Sequence, residues 1–192
     1  FVYGTDDSAA FNAALNPSQW TVAQGGPQSG GALIEMPGQP CGVASTITRT
    51  DQSVELRGTA IYDLTQRQGT TPQGSTIQWL GALGGTIMTK TPVNVVNSAL
   101  TAIKNKTMNI GFECGVPQRL SPQWSVPIAA IGLQLLSQYE GEYGHLSFDE
   151  CSSYDMILST VTGGGNSQQN WIHDISLLNA LYADGVGLML TG

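Results

Sequence analysis

The chain has 192 residues, of which only 11% are charged, and it carries 24 glycines and a formal net charge of −7. An ordinary globular domain is about one quarter charged, and an acidic balance leaves no basic stripe to displace counterions from a phosphate backbone, which argues against a nucleic-acid partner. The longest apolar stretches, such as 126–136, are broken by Pro, Gly or Gln and are too short to cross a bilayer, so no membrane insertion is expected.

The first element in chain order is GTDDSAAFNAAL (4–15). It predicts a helix over 5–16, because Thr5, Asp6 and Asp7 can accept hydrogen bonds from the free N–H groups of the first turn. Ala10, Phe11, Ala14 and Leu15 then fall on one apolar face. GGALIEMPG (30–38) and SVELRG (53–58) follow, and short strands are predicted at 33–36, 42–48, 54–57, 76–80 and 86–89. Polar turns at 62–74 and 115–125 separate them, and 98–106 reads as a short helix or an irregular turn with Lys104 and Lys106 solvated.

The second half repeats irregularly. NIGFEC (109–114), HLSFDEC (145–151) and DISLLNA (174–180) share an apolar–x–apolar core. Interleaved with them are GLQL (132–135), DMIL (155–158) and GLML (187–190). The intervals are unequal, unlike those of fixed-length helical repeats. Period-2 alternation places Ile110/Phe112, Leu146/Phe148, Ile175/Leu177 and Leu188/Leu190 inward. Stacked strands of this kind tolerate turns of any length, so the reading is all-β: a right-handed, single-stranded parallel β-helix (a solenoid) with an N-terminal capping helix. One domain is expected over 1–192, with coils from 32 to 192 and the helix as a lid on the terminal coil. The apolar strand at 187–190, followed by no polar cap, suggests a fragment open at its C-terminal end, covered by further chain or by another subunit.

The order of segments resembles the pectin-lyase-like superfamily, in particular its phage tailspike branch. The motifs that carry the resemblance are DDSAAF (6–11), GGALIEMPG (30–38) and LRG (56–58). They cover about the first third of the chain. The Gly-Ala-x-Gly-Asp-Gly run usual before the helix is missing, and Gly38-Gln39-Pro40-Cys41 stands where a Gly-x-[YF] step is commoner. The resemblance implies a homotrimer on a virion tail or in the extracellular space, with a carbohydrate polymer as partner. It implies binding of a bacterial surface polysaccharide, with depolymerisation by hydrolysis or β-elimination in the catalytic members. The alternative is a non-catalytic adhesin or virion fibre. The superfamily's polygalacturonase signature and its lyase calcium cluster are not present.

Cleavage of a glycan needs carboxylates presented side by side, or a base beside an acidic C–H. Asp149, Glu150, Asp155 and Asp174 follow or flank strands on the outward side and are the candidate catalytic residues. The rival role for such aspartates is to bind local backbone in turns. His145 and His173 occupy similar places in successive strands and are expected to pair on one face. Tyr139, Tyr143 and Trp171, with these histidines, are candidate saccharide-binding residues; Glu140 and Glu142 lie in the turn before His145. Cys41, Cys114 and Cys151 lack metal-ligand spacing. They read as small buried apolar residues, although Cys114 and Cys151 follow similar strands and are compatible with a bridge. No metal and no cofactor is expected. Asn105-Lys106-Thr107 is a formal glycosylation sequon.

Overall fold

The structure, a computed structural model, describes residues 5–15, 32–50, 54–59, 74–91, 102–103, 105–115, 128–160, 169–178 and 186–191. The expected turns at 62–74 and 115–125 lie almost wholly outside them. Among the described residues the protein is mostly β, with one short helix and fourteen strands, all paired in parallel.

The chain meets three strand positions in the same order several times. The first round is β1 (Ala32–Met36), β2 (Pro40–Val43) and β3 (Ile47–Arg49). The second is β4 (Val54–Gly58), β5 (Thr76–Trp79) and β6 (Thr86–Lys90). A two-residue strand, β7 (Ala102–Ile103), precedes the third round, where one long strand, β8 (Lys106–Glu113), replaces the first two positions and β9 (Ile131–Leu136) takes the third. The next rounds repeat this with β10 (Gln138–Tyr139), β11 (Glu142–Asp149) and β12 (Tyr154–Ser159), then β13 (Trp171–Leu178) and β14 (Val186–Leu190).

The register shows why β8 counts twice. β4 pairs with its first part, Leu56 against Thr107, and β5 with its second, Ile77 against Phe112. Between the two parts Asn109 sits at φ 59°, and His145 and Asp174 stand at the same place in β11 and β13 with φ 50° and 52°. Three successive strands therefore bend at one aligned left-handed residue. Asn, His and Asp are residue types enriched in that conformation.

Inward columns make the core. Cys41, Ile77, Phe112, Phe148 and Leu177 follow one another in register, as do Ile47, Met88, Leu133, Met156 and Leu188. Phe112 and Phe148 stack with ring centroids 5.0 Å apart. All are buried except Leu177 and Leu188, in the last described round, which are 41% and 38% exposed. The register of Ile110, Leu146 and Ile175, and that of Leu133, Met156 and Leu188, is the one the alternation predicts.

The helix α1 (Ser8–Ala14) is shorter than the 5–16 expected, and the face it buries coincides only in part with the expected stripe, Phe11 and Leu15 packing on the core. Ala10 and Ala14 are exposed, while Ser8 and Leu15 are buried with Phe11 and Asn12 between them. The helix covers the edge strand β3, whose backbone needs polar partners. Asn12 Oδ1 accepts from Thr48 N at 2.8 Å, and Ser8 Oγ from Ala44 N and Ser45 N at 3.0 and 3.1 Å. Asp6 Oδ1 accepts from Ser8 N and Ala44 N, both at 3.0 Å; Asp7, at the N-cap position, makes no side-chain cap. The hydrogen bonds from Ser8, then from Ala44, hold the Asp6 carboxyl below the usual aspartate range. These contacts at 44–45 also divide the single strand expected at 42–48 into β2 and β3, which join different sheets. Within 98–106, Ala102–Ile103 is strand paired to β10 and Lys106 opens β8, so no helix forms over the described part of that segment.

Cys114 and Cys151 form a disulfide, with Cα atoms 4.8 Å apart, and Cys41 is a buried free thiol. Among the described residues no helix is long and apolar enough to cross a membrane.

Candidate functional site

The outward side of β8, β11 and β13 is a second set of columns. Glu55, Lys106, Glu142 and Trp171 align in one, and Arg57, Met108, Gly144 and His173 in the next. The bend residues Asn109, His145 and Asp174 form a third. On β11 and β13 these columns bring two histidines, two carboxylates and an indole into one patch.

The contacts within the patch are specific. His173 Nδ1 lies 2.8 Å from Asp174 Oδ2, a hydrogen bond, and His173 Nε2 lies 3.5 Å from Glu142 Oε1. His145 Nε2 is 3.6 Å from the same Asp174 oxygen. The two imidazoles meet edge to face at 5.4 Å, and the Trp171 ring lies over His173 at 4.5 Å. Lys106 Nζ pairs with Glu142 Oε2. His173 pairs in register with Gly144, and a Cβ on Gly144 would run into the His173 ring. The missing side chain on β11 is therefore what lets the β13 histidine lie across the strand.

The electrostatics follow from these contacts. The hydrogen bond with Asp174 holds His173 above the ordinary histidine value, and the reciprocal bond holds Asp174 below the usual carboxylate range. Glu142 is also lowered, first by its hydrogen bond from Lys106. One donor atom from each of His145, His173 and Asp174 lies within 4.8 Å of the others, a grouping able to hold a metal ion. Cysteine spacing pointed to no metal, and the signal available in sequence was His145 and the His173-Asp174 pair at equivalent strand positions.

The other sequence candidates stand elsewhere. Asp149, Glu150 and Asp155, expected on the outward side, are 1%, 4% and 0% exposed. The Cys114–Cys151 bond draws the ends of β8 and β11 together, and Ala129 closes over them, its N–H donating to Cys114 O at 2.8 Å. Asp155 precedes Met156, which pairs with Leu133 and Leu188, so its lateral neighbours are Gly132 and Gly187. Tyr143 is an interior residue, since it stands in the column of Leu56, Thr107 and Ile172, and its hydroxyl contacts Gln138 Oε1 at 3.1 Å. Tyr139 is half-buried in β10. Of the aromatic candidates, Trp171 is the exposed one, at 63%. Asn105, the sequon residue, is buried.

Among the four carboxylates singled out, Asp174 therefore shares a surface with the histidines and Trp171, and Glu142 joins it. No family model, no curated protein and no solved structure matches this chain.

Proposed function

We propose that the recurring rounds are coils of a right-handed, single-stranded parallel β-helix of the pectin-lyase-like, tailspike-like kind, and that its β8–β11–β13 face binds a bacterial surface polysaccharide. The right hand is the one that parallel crossover connections adopt almost without exception. The observation that carries the binding reading is the exposed Trp171 indole beside His173, His145, Asp174 and Glu142. An exposed aromatic face flanked by charged hydrogen-bonding groups suits the apolar face and the hydroxyl rim of a sugar ring.

Binding without acid-catalysed hydrolysis is the form of this reading that the lowered carboxylates of the patch favour, and β-elimination is decided by the assay. Hydrolysis requires one carboxyl group kept protonated as an acid. Asp174 and Glu142 are both lowered, and Asp149, Glu150 and Asp155 are buried away from the patch. The protein is read as a tailspike-like polysaccharide binder, with depolymerisation as the activity to be tested and a non-catalytic adhesin or fibre as the alternative. The Cys114–Cys151 disulfide suits an oxidising setting, in keeping with a virion tail or extracellular site. A homotrimer is part of the same proposal.

The test uses a panel of bacterial capsular and O-antigen polysaccharides. Binding is followed by titration calorimetry, and cleavage by viscosity, reducing ends and absorbance near 232 nm. The expected result is binding to at least one polymer, lost in Trp171→Ala, with no new reducing ends. Binding that survives Trp171→Ala places the saccharide elsewhere, and cleavage of any polymer overturns the non-catalytic form.

A further inference from the structure

We propose that His145, His173 and Asp174 bind one divalent transition-metal ion of the zinc class, with Glu142 as the carboxylate that orients His173. Four-coordinate zinc with bonds of about 2.0–2.1 Å holds its ligand atoms about 3.3 Å apart. The distances to Asp174 Oδ2 are 3.6 Å from His145 Nε2 and 2.8 Å from His173 Nδ1, and the whole set spans no more than 4.8 Å. Side-chain rotation of an ångström or so completes the site without moving a strand. Two imidazoles and one carboxylate suit zinc, copper, nickel or iron(II) over the all-oxygen preference of calcium and magnesium.

Two further features point the same way. His173 has its second ring nitrogen, buried and without a hydrogen bond, 3.5 Å from Glu142 Oε1, so a small rotation of the carboxylate places it where it would hold a metal-bound histidine in one tautomer and one orientation. Glu142 is itself fixed by Lys106. Gly144 supplies the room that the His173 ring occupies. Three protein ligands leave a fourth position facing outward, where Asp174 is 60% and His145 44% exposed, for water or a ligand oxygen. The inference shares residues with the saccharide face but does not rest on it, because zinc alone is the probe.

The experiment titrates the full chain, freed of metal by a chelator, with zinc by calorimetry, and with cobalt(II) by visible absorption. The expected result is one zinc per chain and an intense cobalt spectrum of low coordination number. His145→Ala and Asp174→Asn should each abolish that stoichiometric uptake, and Glu142→Gln should weaken it about 10–100-fold. Gly144→Ala keeps every ligand yet displaces the His173 ring, and should weaken uptake with the thermal unfolding midpoint held. No saturable uptake by the unaltered chain overturns the proposal, as does equal affinity in His145→Ala and Asp174→Asn. Neither result touches the polysaccharide assay.

Discussion

Removing the Cys114–Cys151 bond is the perturbation whose magnitude follows most directly from the structure. The bond joins residues 37 apart in sequence. A closed loop of that length restricts the unfolded chain by about 4 kcal/mol at 25 °C in the chain-entropy account. For a chain of 150–250 residues each kcal/mol moves the unfolding midpoint by about 2–4 °C, so the double variant Cys114→Ser, Cys151→Ser should melt about 8–16 °C lower. Calorimetry on the oxidised protein, the reduced protein and the double variant measures this. Thiol titration in denaturant supplies the matching count. One reactive thiol, Cys41, is expected before reduction and three after it. Three thiols in the unreduced chain would refute the Cys114–Cys151 bond, and an unchanged midpoint would refute its stabilising role.

Three other outcomes are expected. Phe148→Ala removes one ring of the buried Phe112–Phe148 stack and should cost about 3–5 kcal/mol in denaturant unfolding. Asn12→Ala deletes the acceptor of the Thr48 amide, a loss of about 1 kcal/mol, and should speed hydrogen exchange at Thr48 more than at Leu133 in the middle strand of the same sheet. In proton NMR titrations His173 should ionise above the ordinary value of about 6.5, and Asp174→Asn should lower it. The stabilisation from a raised histidine is complete below that ordinary value and is lost as pH rises through the folded one. The lowered Asp174 and Glu142 act oppositely: their stabilisation is present above the ordinary carboxylate values, about 3.9 and 4.3, and is lost as pH falls.

Strand register was legible because inward side chains announce themselves at period 2. Ile110, Leu146 and Ile175 could be aligned from sequence, and they pair. The same alternation states on which side of a strand a residue lies, but not what covers that side. That is why Asp149 looked like a surface carboxylate and is buried. The helix face was legible only in part, in Phe11 and Leu15, for a related reason. An apolar stripe is the usual signature of a docking face, but α1 docks on a strand edge, where Ser8 and Asn12 meet unpaired N–H groups. The His145–His173 neighbourhood was foreseen, although not its geometry. His145 aligns with Asp174, while His173 aligns with Gly144, and the one-residue offset is what brings the Asp174 carboxylate to both rings. The mid-strand bends carried a readable signal in Asn109, His145 and Asp174, three residue types that tolerate positive φ.

The Phe112–Phe148 column and the outward columns of the candidate site depend on parallel in-register pairing of β8, β11 and β13. Nuclear Overhauser contacts across these strands test it most directly. The account predicts interstrand contacts that run in series from Ile110 to Leu146 to Ile175, and from Lys106 to Glu142 to Trp171. Short Hα–Hα contacts of the kind made by antiparallel non-hydrogen-bonded pairs, observed between β8 and β11, would contradict it.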